Sequence, residues 1–257
     1  MESNYPSEAV QPMSFFDKLA GIFLSPGEVF ENVAQTGPTT TTWLIPWLLY
    51  VIMAVVTGQL LLANPSLSFQ LEETIRKQFD EVLQESIAKG GITQEQADEQ
   101  FEKFGKPGAP FFTLLSTGGV LLGSLVSLFA ISLFCLLLGK SAMGTTVPYL
   151  KIVEVVGLTL LIDMLGQVVT AALMFLTDSI HASPGAALFL VPNIDLENKG
   201  HVALSKVDVF TVWKIWILST GLSKLFRRDF PKVMVLVLSL WVLWSLFSIF
   251  TGFSAGG

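Results

Sequence analysis

The chain has 257 residues, of which 51% are hydrophobic and only 14% are charged, and its mean hydropathy is +0.62. This composition excludes a soluble globular protein and a disordered scaffold, and it is typical of an integral membrane protein. Fifteen basic residues against 21 acidic ones give a net charge of −6, which excludes a nucleic-acid binder with a basic surface. Because Cys135 is the single cysteine, a disulfide framework is excluded as well.

Residues 1–42 form a polar to amphipathic arm without the pattern of a cleavable signal peptide. Within the arm, Ser25, Pro26 and Glu28 have the form of a capping box, which predicts a helix that begins at Pro26. Two arrangements are open for the arm. It lies on the membrane surface as amphipathic helices, or it packs against the cytoplasmic ends of the spans. Its apolar residues are Phe15, Phe16, Leu19, Ile22, Phe23, Val29, Phe30 and Val33.

Five later segments are long enough to cross a bilayer core, which needs about 20 apolar residues in a helix. Lys214 interrupts the fourth segment, so a tilted or partly interfacial helix is an alternative there. Residues 43–257 are therefore predicted to form an all-α integral membrane domain of five transmembrane helices. The predicted spans are 43–63, 110–138, 149–177, 208–226 and 231–253.

The loop between the first two spans, residues 64–109, is too long for a simple connector. Apolar residues at helical spacing predict a first helix that ends at Gly90 and Gly91. Thr93 and Gln96 form a second capping box, which predicts the start of another helix. The loop is thus interpreted as an acidic helical hairpin outside the membrane. The apolar positions of its first helix are Leu71, Ile75, Phe79, Val82, Leu83 and Ile87.

The second helix of this hairpin has an apolar and an acidic face. We expect Ala97, Phe101 and Phe104 to be buried. The acidic residues are interpreted as a solvated face rather than a cation site, because exposed acidic side chains are the default on a helix. They are Glu95, Asp98, Glu99 and Glu102.

The orientation follows from basic residues in short loops, which favour the cytoplasmic side. Arg227 and Arg228 lie between the fourth and fifth spans, so that loop is predicted to be cytoplasmic. With five spans, the N-terminus is then cytoplasmic, whereas the C-terminus and the acidic hairpin lie outside.

Ionisable residues inside a span are costly, by about 2.5–3.5 kcal/mol on insertion scales, and they need a partner or a function. Asp163 and Lys214 lie at matching depths in adjacent antiparallel spans, which predicts an ion pair, and Gln167 lies one turn from Asp163 as a further polar partner. The pair is either an interhelical fastener or a proton or ion relay. Glu154 lies one turn inside the third span, and we expect it to snorkel to the cytoplasmic interface.

A stripe of small residues in the second span predicts close helix packing. Gly119, Gly123 and Ser127 recur every four residues. The helix that packs there belongs either to the same chain or to another copy, and both alternatives are open.

The sequence supports no catalytic, cofactor or metal site. It contains no nucleophile-elbow, zinc-protease, phosphate-loop or dinucleotide fingerprint. His181 and His201 lack the spacing typical of zinc ligands, and they are interpreted as loop residues.

The segments Ile22–Glu31 and Asp208–Trp216 resemble bacterial members of the Yip family of Rab-GTPase-interacting membrane proteins. The first segment carries the family-like motif, which consists of Ser25, Pro26, Glu28, Val29 and Phe30. The resemblance extends from Phe15 to Phe253. It implies a five-span protein, in the bacterial inner membrane, that binds other membrane proteins. The Asp-Leu-Tyr-Gly-Pro motif of the eukaryotic trafficking members is absent, so Rab binding is not implied.

These observations together predict a non-enzymatic membrane interaction or organising factor. Its expected partners are the lipid bilayer and a membrane protein of unknown identity, and a homo-oligomer is left open. The alternative functions are a small transporter or permease subunit that uses Asp163 and Lys214, and, less favoured, an intramembrane enzyme. A water-accessible polar cavity that converges on Asp163 would favour the transporter.

Overall fold

The structure, a computed structural model, describes residues 11–88, 90–185 and 199–251, and in these ranges it contains helices and no strand. An isolated antiparallel bridge joins Gly185 and Asp208. The helices are α1 (Phe15–Leu24), α2 (Pro26–Gln35), α3 (Thr41–Ala63), α4 (Pro65–Ala88), α5 (Gln94–Gln100), a π-helical turn (Phe101–Gly105), α6 (Pro110–Met143), α7 (Tyr149–Thr177), α8 (Lys199–Ser205), α9 (Val209–Phe226) and α10 (Phe230–Thr251).

Four of these helices are long and apolar enough to cross a membrane, as judged by length and composition within the described residues. They are α3, α6, α7 and α10. These correspond to the first, second, third and fifth predicted spans. The fourth predicted span coincides with α9, which has 18 residues and carries both Lys214 and Lys224. The protein is therefore an all-helical membrane protein with at least four helices suited to span the bilayer.

Helix α6 continues five residues beyond the predicted end of the second span, to Met143. The apolar run ends before the exposed Lys140, but a lysine has a good helix propensity and does not stop the backbone. Gly144 stops it, because this residue adopts a left-handed φ of 61° and its N–H bonds back to the carbonyl of Lys140.

The residues fall into two compact units, and the first comprises residues 1–49, 126–163 and 210–253. Its most buried segment is the first half of α7, where residues 151–159 are all buried. Two glycines allow close approach in this unit. A Cβ on Gly157 would lie 2.5 Å from Cβ of Trp43, and one on Gly221 would lie 2.5 Å from Val155 Cγ1 and 3.0 Å from the Phe30 ring. Helices α2 and α3 can therefore pack tightly on α7 and α9.

The second unit comprises the described residues of 50–125 and 164–209. In this unit α4 contacts α5 and the π-helical turn. The rings of Phe79 and Phe101 meet edge to face at 5.5 Å, and the guanidinium of Arg76 lies 4.7 Å above the Phe101 ring and pairs with Asp98. As predicted, Thr93 begins α5 with a complete capping box.

Polar contacts also join the start of α4 to the end of α7. Asn64 caps α4, because its side-chain oxygen accepts hydrogen bonds from the N–H groups of Ser66 and Leu67. The Ser66 hydroxyl donates to Asp178, and Gln70 donates to the Asp178 carbonyl. These hydrogen bonds connect the start of the acidic segment, residues 64–109, to the end of α7 within the second unit.

Two local expectations are wrong. Ser25 precedes α2, but its side chain makes no capping hydrogen bond, because its ψ of 63° lies outside the extended region that aims a capping side chain at the first turn. Phe104 is 46% exposed, because it lies within the π-helical turn, whose wider winding rotates it away from Ala97 and Phe101 towards Phe111.

Candidate functional site

The first candidate site is the ion pair between α7 and α9. Lys214 Nζ lies 2.6 Å from Asp163 Oδ2. Both side chains are partly buried, with 29% of Lys214 and 25% of Asp163 exposed. The two groups can therefore neutralise each other directly, without a bridging molecule. They were chosen from the sequence by depth along two antiparallel helices, which is the arrangement that the contact requires.

Gln167 lies one turn after Asp163 in α7. Its side-chain oxygen is buried and has no hydrogen-bond partner among the described residues. A buried amide oxygen without a partner is unfavourable, because it loses its hydrogen bonds to water. The predicted role of Gln167 as a further partner of the ion pair stays a prediction.

The second site is a buried polar cluster that surrounds the start of α7. Lys151 Nζ donates to Glu154 Oε2 at 2.8 Å and to the Gly37 carbonyl at 2.9 Å. The second oxygen of Glu154 accepts a hydrogen bond from the Thr39 backbone N–H. Glu154 is only 1% exposed. It therefore does not snorkel to an interface as expected, because the loop between α2 and α3 covers it.

Lys18 of α1 brings a second cation to this cluster. It is 3% exposed, and its Nζ donates to Thr42 Oγ1 at 3.0 Å. Burial lowers the pKa of Lys18, Glu154 counters this effect, and Lys151 adds to it. The cluster thus joins α1 to the start of α3, and the loop before α3 to α7, by charge-assisted hydrogen bonds.

Sequence reasoning missed the cluster, although part of its signal is visible. Lys151 and Glu154 have the i,i+3 spacing of a helical ion pair at the start of an apolar helix. The sequence around Lys18 does not indicate its burial, because a lysine in an amphipathic arm is expected to face water.

The family-like motif forms the contact surface of α2. Pro26, Val29 and Phe30 are buried, whereas Glu28 is exposed and Ser25 is partly exposed. The ring of Phe30 lies beside Gly221 of α9. Of the two arrangements that were open for the arm, the structure therefore shows α2 packed against other helices of its unit.

An ion pair extends this contact between α2 and α9. Lys224 Nζ lies 3.1 Å from Glu31 Oε2, and both side chains are nearly half exposed. The hydrogen bond from Lys224 lowers the pKa of the Glu31 carboxyl. The packing of Phe30 is thus supported by a charged contact one residue further along α2.

The small-residue stripe of α6 is open. Gly119 and Gly123 are exposed, and a Cβ on either glycine would meet no atom within 4 Å. Ser127 is partly buried. Within the described residues no helix packs against the two glycines, so the internal alternative has no support at these positions. Packing of another chain on this face stays a prediction.

The acidic residues of α5 and the π-helical turn pair with nearby cations. Glu99 pairs with Lys103 and Glu102 with Lys106, each one helical turn apart. Within the described residues, no group of three or more His, Cys, Asp or Glu side chains is arranged to hold a metal ion.

Comparison with curated proteins and with solved structures found no match. The family model described as the Yip1 domain matches residues 20–252. This range covers most of the chain. It includes the α2 motif, the pair of Asp163 and Lys214, and Lys151 and Glu154 of the buried cluster, and the protein therefore belongs to the Yip1 domain family.

Proposed function

We propose that this Yip1-domain protein acts as a non-enzymatic interaction or organising factor in the membrane. The proposal includes five spans, with α9 as the fourth, a cytoplasmic N-terminus and an outer acidic segment. The protein would reside in a bacterial inner membrane and bind another membrane protein or a second copy of itself.

The observation that carries the proposal is the direct contact between Lys214 and Asp163. A transported ion or proton needs access to a charged group from water. Here each charge is held by the other at 2.6 Å, and Leu161 and Ile162, which precede Asp163 in α7, are buried. Such an arrangement is suited to fasten two helices in an apolar environment.

The surface of α6 supports an interaction role. Its exposed glycines leave room for the backbone of another helix to approach, which is how helices associate in lipid. Exposed large apolar residues on the same helix include Leu114, Leu115, Leu121, Leu122 and Val126.

Site-specific photo-crosslinking in native membranes tests this role. A photoreactive amino acid at Gly123 is expected to give a reproducible protein adduct. Gly118 is the matched control, because it also has open space around its Cβ but lies five residues before Gly123, on another side of the helix. Lipid adducts alone at both positions would contradict the interaction surface.

Cysteine labelling tests the five-span topology. Val207 precedes α9 and Asp229 follows it, and both are exposed. An impermeant thiol reagent should label Val207→Cys from outside but Asp229→Cys only after the membrane is opened. The unsubstituted protein is the control, since Cys135 is fully buried. Labelling of both positions from one side would show that α9 does not cross.

A further inference from the structure

Five of the fifteen basic residues lie in or beside two short turns. The first turn joins α6 to α7, and the second joins α9 to α10. All five residues are exposed, and Asp229 is the single acidic residue in residues 139–149 and 224–232. The two turns therefore carry an excess of positive charge in a chain whose net charge is −6. The five residues are Lys140, Lys224, Arg227, Arg228 and Lys232, and we call them the basic surface.

The two turns of the basic surface contact each other. A Cβ on Gly139 would lie 2.7 Å from Cζ of the Phe226 ring, so the end of α6 lies against the end of α9. One nitrogen of the Arg228 guanidinium donates to the Met143 carbonyl at 2.6 Å. This bond uses one of the five N–H donors of the guanidinium, and the other four remain for a further ligand.

Two carboxylates pair with the basic surface, and each of them is held by a lysine. Glu31 Oε2 lies 3.1 Å from Lys224 Nζ, and Asp229 Oδ2 lies 2.8 Å from Lys232 Nζ. Glu28, one turn earlier in α2 than Glu31, is exposed and forms no salt bridge with any described residue. The two lysines are therefore already compensated.

The other three basic residues form no salt bridge within the part of the chain that the structure describes. Arg227 interacts with Glu31, and Arg228 with Asp229, only at longer range. Lys140 lies at the end of α6, where residues 139–149 contain no acidic side chain. Five cations against two carboxylates leave three positive charges on the basic surface without compensation.

The basic surface lies at the membrane boundary of three spans. Helices α6, α7 and α10 are long and apolar enough to cross a bilayer. The apolar run of α6 ends at Leu138, two residues before Lys140, and α10 begins at Phe230, two residues after Arg228. Basic residues that directly flank membrane spans are placed to contact lipid headgroups. This position does not depend on which side of the membrane the turns occupy, or on whether α9 crosses.

Arg227 occupies a backbone position that favours glycine. Its φ is 53°, in the left-handed region. The Arg228 N–H donates to the Ser223 carbonyl at 3.1 Å, which ends α9 in the manner of a glycine cap. A glycine would adopt this conformation without strain. The turn itself therefore does not account for an arginine, and a strained residue of this kind is typical of functional positions.

We infer that the basic surface binds the phosphate headgroups of anionic phospholipids. The planar guanidinium groups of Arg227 and Arg228 each match two phosphate oxygens, and Lys140 adds a point charge. The phosphate of a zwitterionic lipid is already neutralised by the ammonium group of the same headgroup. The three uncompensated charges therefore favour a lipid with a net negative charge, such as phosphatidylglycerol. The inference goes beyond the proposed function, since it assigns a lipid ligand and needs neither a protein partner nor the five-span topology.

Spin-labelled lipids test the inference. The full chain is reconstituted in phosphatidylcholine vesicles with a trace of phosphatidylglycerol or phosphatidylcholine that carries a nitroxide on one acyl chain. The fraction of slow, protein-bound probe gives the relative association of the two lipids. Phosphatidylglycerol should associate several-fold more strongly with the unsubstituted protein. Salt at about 1 M should remove most of this preference, since the screening length then falls to about 3 Å.

Two variants locate the binding on the basic surface. Arg227→Gly removes the guanidinium and relieves the backbone, so it should keep or raise the melting temperature. Lys140→Gln changes an exposed residue at the end of α6. Each variant should lower the preference for phosphatidylglycerol by about two- to fivefold, the effect of one basic group beside an anionic headgroup. The matched control is Lys77→Gln, which makes the same change of charge at an exposed residue of α4 in the second unit.

Three results would overturn the inference. Equal association of both lipids with the unsubstituted protein would show that the basic surface has no preference for anionic headgroups. A preference that neither variant reduces would place the anionic lipid at other residues. An equal loss in Lys77→Gln would show an effect of net charge alone. Crosslinking at Gly123 and labelling at Val207 and Asp229 test the proposed function separately, so the failure of either proposal is recognised without the other.

Discussion

Breaking the ion pair between Asp163 and Lys214 should cost more when one partner is removed than when both are removed. Asp163→Asn leaves an uncompensated lysine between α7 and α9, and Lys214→Met leaves an uncompensated aspartate. The double variant leaves neither charge. Each single variant should therefore be less stable than the double variant.

The magnitude follows from the geometry. At 2.6 Å, two unit charges attract by about 6 kcal/mol for an effective dielectric constant of 20. Desolvation of both groups opposes much of this attraction, and a quarter of each side chain is exposed, so screening reduces it further. We expect a coupling free energy of about 1–3 kcal/mol.

The assay is a double-mutant cycle of the free energy of unfolding, measured by reversible denaturation in mixed micelles. The matched control is a cycle that pairs Asp163→Asn with a change at Lys232, whose salt-bridge partner is Asp229 rather than Asp163. That control should be additive. Additive effects in the Asp163 and Lys214 cycle would refute the ion pair as a fastener of the two helices.

Two further predictions concern other contacts of the same unit. Gly157→Ala should lower the free energy of unfolding by about 1–3 kcal/mol, since the added Cβ would lie 2.7 Å from the Trp43 backbone. The control is Gly118→Ala, because a Cβ on Gly118 would meet no atom within 4 Å. Equal effects of the two substitutions would contradict the close contact at Gly157. Glu31→Gln removes the ion pair with Lys224, and this should lower the free energy of unfolding by no more than about 1 kcal/mol. Because the folded-state pKa of Glu31 lies below its ordinary value of 4.5, the contribution is present above that value and is lost as the pH falls through the folded-state pKa. Melting curves from pH 7 to pH 3 should therefore converge for the two proteins, and a constant difference across this range would rule out a role for the Lys224 contact.

The helices suited to span the membrane were predictable because the bilayer imposes one requirement on every span. A helix must remain apolar for about 20 residues, and α3, α7 and α10 follow the predicted runs to within two residues at each end. The contact between Asp163 and Lys214 was predictable because the two residues lie at the same depth along adjacent antiparallel spans. The weak fourth span illustrates the limit, since two lysines in 18 residues place α9 between a span and an interfacial helix.

The buried cluster around Glu154 was not predictable in the same way. Lys18 and Glu154 are far apart in the chain, and their burial depends on how α1 and the loop before α3 fold over α7. A pattern of apolar residues assigns charges to the outside by default. The burial of Lys18 can be explained only when its partners are known.

The contact between Phe30 and Gly221 constrains the order in which the chain can mature. Phe30 is synthesised about 190 residues before Gly221, which at about 5–20 residues per second is a delay of roughly 10–40 seconds. During that time α2 has no surface of α9 on which to pack. The side of α2 that carries Phe30 is therefore available to chaperones and to the membrane insertion machinery until α9 has been inserted.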